Sequence, residues 1–137
     1  MRLKIYADGA SWGNPGPAAI GVVIKDEQHK VLAKVSRFIG DATNNQAEYQ
    51  AVIAALKEAV GFKADMATLY LDSELVAKQL AGSYKVRNIF LFPLHKEALE
   101  LCKKFNRLSI VHVGHDGNSE AHDLAKAALK KFAGPKS

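Results

Sequence analysis

Thr43-Asn44-Asn45-Gln46-Ala47-Glu48 (TNNQAE) marks the point where the chain stops making strands and begins a helix. Thr and Asn are good N-cap residues. Gln46 stands three after Thr43 and Glu48 three after Asn45, so a capping box can close in either register. The alanine-rich segment that follows runs to about Val60, where Gly61 ends it. Glu48, Val52, Ala55 and Ala59 fall at helical spacing, which puts the Glu48 carboxylate on a stripe that should meet a sheet.

Upstream, Leu3, Ile5 and Ala7 alternate with Lys4, Tyr6 and Asp8, the pattern of a half-buried strand that ends on a carboxylate against Gly9. A Gly13-Asn14-Pro15-Gly16 turn leads to a second, nearly all-apolar strand at Ala18–Ile24. A third strand, Val31–Ile39, follows the polar turn Asp26–Lys30. Such short connections make an antiparallel meander. Downstream, Ala67–Leu71 is a fourth strand ending at Asp72-Ser73, followed by a short helix from Glu74 to about Leu80. Tyr84–Asn88 is a basic loop. A longer helix with Pro93 in its first turn runs to about Phe105. Leu108–Val113 is a fifth strand, His115–Asn118 a loop, and Asn118 or Ser119 caps a last helix through Phe132. The order is β-β-β-α-β-α-α-β-α. The fourth and fifth strands are reached through helices and should run parallel to a neighbour. The expected class is α/β (α+β): a five-stranded mixed sheet, three antiparallel strands then two parallel, with helices on both faces.

The 137 residues are expected to form one domain over 1–133, with 134–137 a flexible basic tail. Apolar content of 48% with 24% charged residues suits a water-soluble globule, and no run approaches the length of a membrane helix. Met1-Arg2-Leu3 leads straight into a strand, so no secretory leader is expected. Cys102 is the sole cysteine. That excludes internal disulfides and cysteine-based zinc sites and suggests a reducing, cytoplasmic setting. A monomer is expected. The formal charge of +5 and pI of about 9.3 hint at a polyanionic partner.

Asp8 ends the first strand, Asp72 ends the fourth, and Glu48 lies in the first turns of the helix between them. Each has an ordinary reading, as turn former, capping-box partner and helix cap. If the first and fourth strands are parallel neighbours, the three acids instead share one edge of the sheet, outside the carboxyl ends where open α/β sheets place their sites. Three carboxylates there repel one another without a cation, and all-oxygen sites suit hard divalent ions.

Asp8-Gly9 with Gly13–Gly16, then TNNQAE at 43–48, then Asp72-Ser73, then Asn118-x-x-Ala121-x-x-Leu124-Ala125, taken in that order and spacing, resemble type 1 ribonuclease H across almost the whole chain. The resemblance implies a ribonuclease H-like fold. It implies an endonuclease that hydrolyses the RNA strand of RNA–DNA hybrids with two Mg²⁺ or Mn²⁺ ions, leaving 5′-phosphate and 3′-hydroxyl ends. Asp8 would bridge the ions, and Glu48 and Asp72 would each complete one coordination sphere. By the same resemblance Gly9, Asn14, Gly16, Asn44, Asn45 and Gln46 line the groove for the RNA strand, whose 2′-hydroxyls distinguish it from DNA. Thr43 contacts a phosphate beside a helix N-terminus.

The chain departs from the family pattern at one site position. The family has an acid in the last helix where this chain has His122, with Asp123 one place on. The core stripe Ala121, Leu124, Ala125 and Ala128 turns the His122 position toward the site and Asp123 toward solvent; a one-residue slip would restore Asp123. With His122 as fourth ligand, a softer donor replaces a carboxylate and Mn²⁺ should gain on Mg²⁺. His115, in the preceding loop, matches a histidine that in some family members helps activate water or release product. The Trp-bearing basic protrusion of many relatives is here only a short loop, whose Lys85 and Arg87, with nearby Lys78, are expected on the DNA-strand backbone. Two alternatives stand beside this reading: a hybrid-binding module with weakened catalysis, and a nuclease of the same fold acting on another nucleic acid.

Overall fold

In the computed structural model, which describes residues 1–133, the sheet is built from β1 (Arg2–Ser11), β2 (Gly16–Lys25), β3 (Val31–Ala42), β4 (Met66–Leu71) and β5 (Arg107–His112) in the order β3-β2-β1-β4-β5. The first three strands pair antiparallel, and β4 and β5 add in parallel beside β1. Between and after them lie α1 (Asn44–Val60), α2 (Glu74–Leu80), α3 (Phe92–Cys102) and α4 (Ser119–Ala133), the last entered through a 3-10 turn at His115–Asn118. No helix among the described residues is long and apolar enough to cross a membrane. The mixed sheet and its order of elements are those expected. The tail at 134–137 lies outside the described residues.

The period-2 pattern of the strands sorts the two layers. Leu3, Ile5 and Ala7 of β1, Ile20, Val22 and Ile24 of β2 and Leu69 and Leu71 of β4 join the α1 residues Tyr49, Val52 and Leu56 in one core, all essentially fully buried. α1 lies on β1 and β2 and against α3. On the other face α4 covers β1, β2 and β3. Its backbone comes down on Gly21, where a β-carbon would fall 1.9 Å from the Ala121 carbonyl oxygen. Ser36 Oγ donates to the Leu124 carbonyl at 2.7 Å and fixes the same helix from β3.

The differences from expectation lie at element ends. Pairing of Gly16 with Ala42 extends β2 back to Gly16 and β3 on to Ala42. α3 stops at Cys102. The segment before α4, expected as a loop, is a 3-10 turn, and Asn118 is not a cap. Its side chain is buried and donates to the Ala7 carbonyl at 2.7 Å. His95 is half-buried, meets the Tyr49 ring edge-on and bonds the Gln79 carbonyl at 3.1 Å.

Candidate active site

β1 and β4 run parallel as neighbours, so Asp8 and Asp72 emerge at one edge of the sheet. α1 brings Glu48 to the same edge because its start is tightly specified. Thr43 is the N-cap, accepting from the Gln46 N–H at 3.1 Å while the Gln46 carboxamide oxygen accepts from the Thr43 N–H at 2.8 Å. The capping box is thus the Thr43–Gln46 one, which leaves Glu48 free of capping. Asp72 is likewise not a cap, since Ser73 Oγ takes the Val76 N–H. Gly9 permits the close approach of α1: a β-carbon there would stand 2.3 Å from the Ala47 carbonyl carbon. Its N–H donates to Glu48 Oε1 at 2.9 Å.

Ligand oxygens of Asp8, Glu48 and Asp72 lie within 4.8 Å of one another. Glu48 is 7% exposed, and its Oε2 is buried with no hydrogen-bond partner. Burial, followed by the neighbouring Asp8 carboxyl, holds Glu48 well above the ordinary carboxylate range despite the Gly9 N–H. Burial and then the Asp8 charge also raise Asp72, against a lowering by His115. Mutually repelling carboxylates that line one cavity, one of them with a buried oxygen that has no hydrogen-bond partner, have the donor set that a hard divalent cation would meet.

His122 is half-buried in the first turn of α4, with Nδ1 2.7 Å from Asp8 Oδ2. Asp123 is exposed and turned away. His115 is more open, its side chain 63% exposed, with Nδ1 3.7 Å from Asp72 Oδ2 and its ring edge-on to His122 at 4.6 Å. The carboxylates, both histidines, Gly9, Asn44 and Asn45 line a cavity of about 410 Å³. The Gly13–Gly16 turn is tied to this site through Asn14, whose Oδ1 accepts the Asn44 N–H at 2.9 Å.

A second cavity of about 220 Å³ adjoins it, where Asn14, Thr43, Asn45 and Gln46 meet Asn88, Phe90 and Leu91. The contribution of Asn88 and Phe90 is not expected from the sequence, where Asn88 reads as the end of the basic loop Tyr84–Asn88 and Phe90 carries no assigned role. Asn88 Oδ1 folds that loop by accepting the Phe90 N–H at 2.8 Å, which leaves Phe90 67% exposed. Lys85 and Arg87 are exposed on the same loop and line neither cavity; Lys78 Nζ lies near the Tyr84 hydroxyl and 3.4 Å from Glu74. Gly16 also stands outside both linings, in the turn that Asn14 anchors.

A family model described as reverse transcriptase-like matches residues 6–128. A bifunctional protein of Mycobacterium tuberculosis is 42% identical over 134 residues, covering 97% of this chain and 37% of that protein. Ribonuclease HI of Halobacterium salinarum is 45% identical over 128 residues, covering 93% of this chain and 64% of its own length. The chain therefore spans less than two thirds of either curated relative. The crystal structure of RNase H1 from Halobacterium salinarum superposes with a TM-score of 0.91 at 45% identity, covering 94% of this chain and 98% of that one. A ribonuclease H1 isolated from compost, solved in complex with an RNA/DNA hybrid, superposes with a TM-score of 0.91 at 38% identity, covering 96% of this chain and 99% of that one.

Proposed function

The chain belongs to the ribonuclease H family, and from that premise we propose that it is a divalent-metal-dependent endonuclease cutting the RNA strand of RNA–DNA hybrids. The observation that carries this reading is the convergence of Asp8, Glu48 and Asp72 around the unpartnered, buried Glu48 oxygen. The hybrid bound to the compost enzyme supports the substrate class. Asp8, Glu48 and Asp72 would hold two ions, Mg²⁺ or Mn²⁺. The chemistry such ions would supply there is activation of a water and stabilisation of the leaving oxygen, which would give 5′-phosphate and 3′-hydroxyl ends.

The chain's own groups do the positioning. The Gly9 N–H fixes one oxygen of Glu48 and leaves the other without a hydrogen-bond partner. The His122 imidazole donates from Nδ1 to Asp8 and sets the plane of that carboxylate. His115, open to solvent beside Asp72, is placed to carry a proton between the site and water. Asn14, Asn44, Asn45 and Gln46 offer 2′-hydroxyls the amide groups that their own capping and turn bonds leave unused, and Thr43 takes a phosphate at the N-terminus of α1. Lys85 and Arg87, exposed on the loop that leads to Asn88, are assigned to the DNA strand. We read residues 1–133 as one monomeric domain working in the cytoplasm. The lone thiol, Cys102, is pushed up to about 11 by burial, which keeps it an unreactive packing group.

The test is cleavage of end-labelled RNA–DNA hybrid, duplex RNA, duplex DNA and a four-way junction in Mg²⁺ and in Mn²⁺. Only the hybrid should be cut, and Asp8→Asn should abolish the cut. Binding without cutting would replace this reading with a hybrid-binding module. With Nδ1 on Asp8, His122 keeps Nε2 as a softer donor and brings one less negative charge where the family pattern has an acid, so Mn²⁺ should outperform Mg²⁺. His122→Asp should shift the Mn²⁺/Mg²⁺ activity ratio toward Mg²⁺ by about tenfold or more, the scale of changes around a metal site. An unchanged ratio would refute the role given to His122.

A further inference from the structure

The face of the sheet that α4 covers over β1 to β3 is crossed near the catalytic edge by the 3-10 turn His115–Asn118, which touches β1 and β4 and stands with Asp116 beside Tyr6; beyond that turn no helix lies on this face over β4 and β5 among the described residues. Strand register lays its side chains out in rows. Arg2, Met66 and Arg107 form one, Lys4, Thr68 and Ser109 the next, and Tyr6, Tyr70 and Val111 the third. Asp8 and Asp72 stand one repeat beyond the tyrosines, at the catalytic edge. A strand advances about 3.3 Å per residue, so the rows span about 20 Å from Asp8 to Arg2; three strands at about 4.8 Å spacing make the face about 10 Å wide.

Its chemistry is specific. Tyr6 and Tyr70 stack with ring centroids 4.8 Å apart and planes within 12°, and Lys25 Nζ sits 5.6 Å from the Tyr6 ring centroid while paired with Glu120 at 2.6 Å. The rings thus present edges and hydroxyls outward beside Val111, which is 37% exposed. Beyond them, among the described residues, none of the Arg2, Lys4 and Arg107 side chains forms an ion pair with a carboxylate, and the Glu27 carboxylate beside Arg2 accepts that residue's backbone N–H at 3.1 Å. Lys4 Nζ meets only His29 Nε2 at 3.3 Å, and an Arg2 guanidinium nitrogen meets the Met66 sulfur at 3.8 Å. Arg2, Arg107, Thr68 and Ser109 line a cavity of about 230 Å³ at the end farthest from the carboxylates.

We propose that this face is a track for a single-stranded continuation of the RNA strand held at the catalytic edge, with Arg2, Lys4 and Arg107 on its phosphates. The inference rests on the nuclease reading above, which puts the RNA strand at Asp8 and Asp72. Three cations without carboxylate partners on one face supply charge complementary to a phosphate backbone. A width of about 10 Å, walled on one side by α4, suits one strand. The tyrosine edges and Val111 give bases and sugars an apolar step, and the Thr68 and Ser109 hydroxyls answer the 2′-hydroxyl, which donates and accepts.

The experiment is fluorescence anisotropy in chelator across a salt series. It uses a blunt hybrid and the same hybrid extended by an unpaired RNA tail, at one end and then at the other. A tail at one end should tighten binding by the wild-type chain. Arg2→Ala with Arg107→Ala should remove that gain and lower the slope of log affinity against log salt by about 1.4, about 0.7 per phosphate contact on a single strand. Ser109→Lys, at the exposed end of the middle row, should enlarge the gain. Blunt-hybrid binding and cutting should not change in either variant. A tail that adds nothing to wild-type binding, or a double variant that weakens blunt and tailed hybrids equally, overturns the proposal. So does a double variant whose one effect is on self-association in sedimentation. Cutting of blunt hybrid by the wild type in Mn²⁺ or Mg²⁺ is measured alongside. Its absence defeats the nuclease reading, whereas normal cutting without a tail effect defeats the track alone.

Discussion

At the scale of single residues, position 122 shows how helical geometry assigns chemistry. Neighbours on a helix point about 100° apart, so only one of His122 and Asp123 can face Asp8. The imidazole does, and the carboxylate is left in solvent. His122→Ala should leave the fold intact and lower hybrid cleavage by about 10–100-fold, the usual cost of removing a group that orients a metal ligand. Single-turnover assays with a melting control check this. Asp123→Asn should change cleavage little. Asp8, Glu48, Asp72 and His122 were legible because each sits beside a local landmark: a strand end, a capped helix start, a core stripe. Asn118 was misread as a cap because its sequence neighbours suit one. Its burial against the Ala7 carbonyl depends on how a distant strand lies.

At the scale of elements, the order of strands and helices was readable and their ends were not. Periodicity reports which face of a segment is buried, whereas the extension of β2 to Gly16 and of β3 to Ala42 comes from cross-strand pairing that no local window contains. The second cavity was hidden for the same reason, since Asn88 and Phe90 reach Thr43 only through the path of a loop. Helix docking is where substitutions should cost most. The Tyr49 hydroxyl donates to Gln79 Oε1 at 2.6 Å in a fully buried contact that joins α1 to α2. Tyr49→Phe strands that acceptor and should cost about 1–3 kcal/mol in denaturant unfolding. Gly21→Ala drives a methyl into the Ala121 carbonyl and should cost about 3 kcal/mol or more while lifting the first turn of α4.

At the scale of the whole molecule, the carboxylate cluster opposes folding unless a proton or a cation relieves it. Glu48 and Asp72 are raised above their ordinary values by burial and by Asp8, so the folded chain holds protons that the unfolded chain has already released. Their stabilising contribution is therefore complete below about pH 4, the ordinary carboxylate range, and is lost as pH rises through the elevated folded values. In chelator, the melting temperature of Glu48→Gln should gain on that of the wild type as pH is raised from about 4. A constant difference would contradict the assignment. Mn²⁺ should restore the wild type at neutral pH, by about 2.7 kcal/mol when its concentration is 100 times the dissociation constant. The same metal should do far less for Asp8→Asn. The seating of α4 on Gly21, directly opposite Asp8 in the β1–β2 register, adds a last consequence. Main chain rests there on main chain, so the mounting of residue 122 owes nothing to which side chain it bears. That position is an interchangeable socket: His122→Asp should melt at about the wild-type temperature with metal bound, because what changes is the charge facing Asp8 and not the seat of the helix.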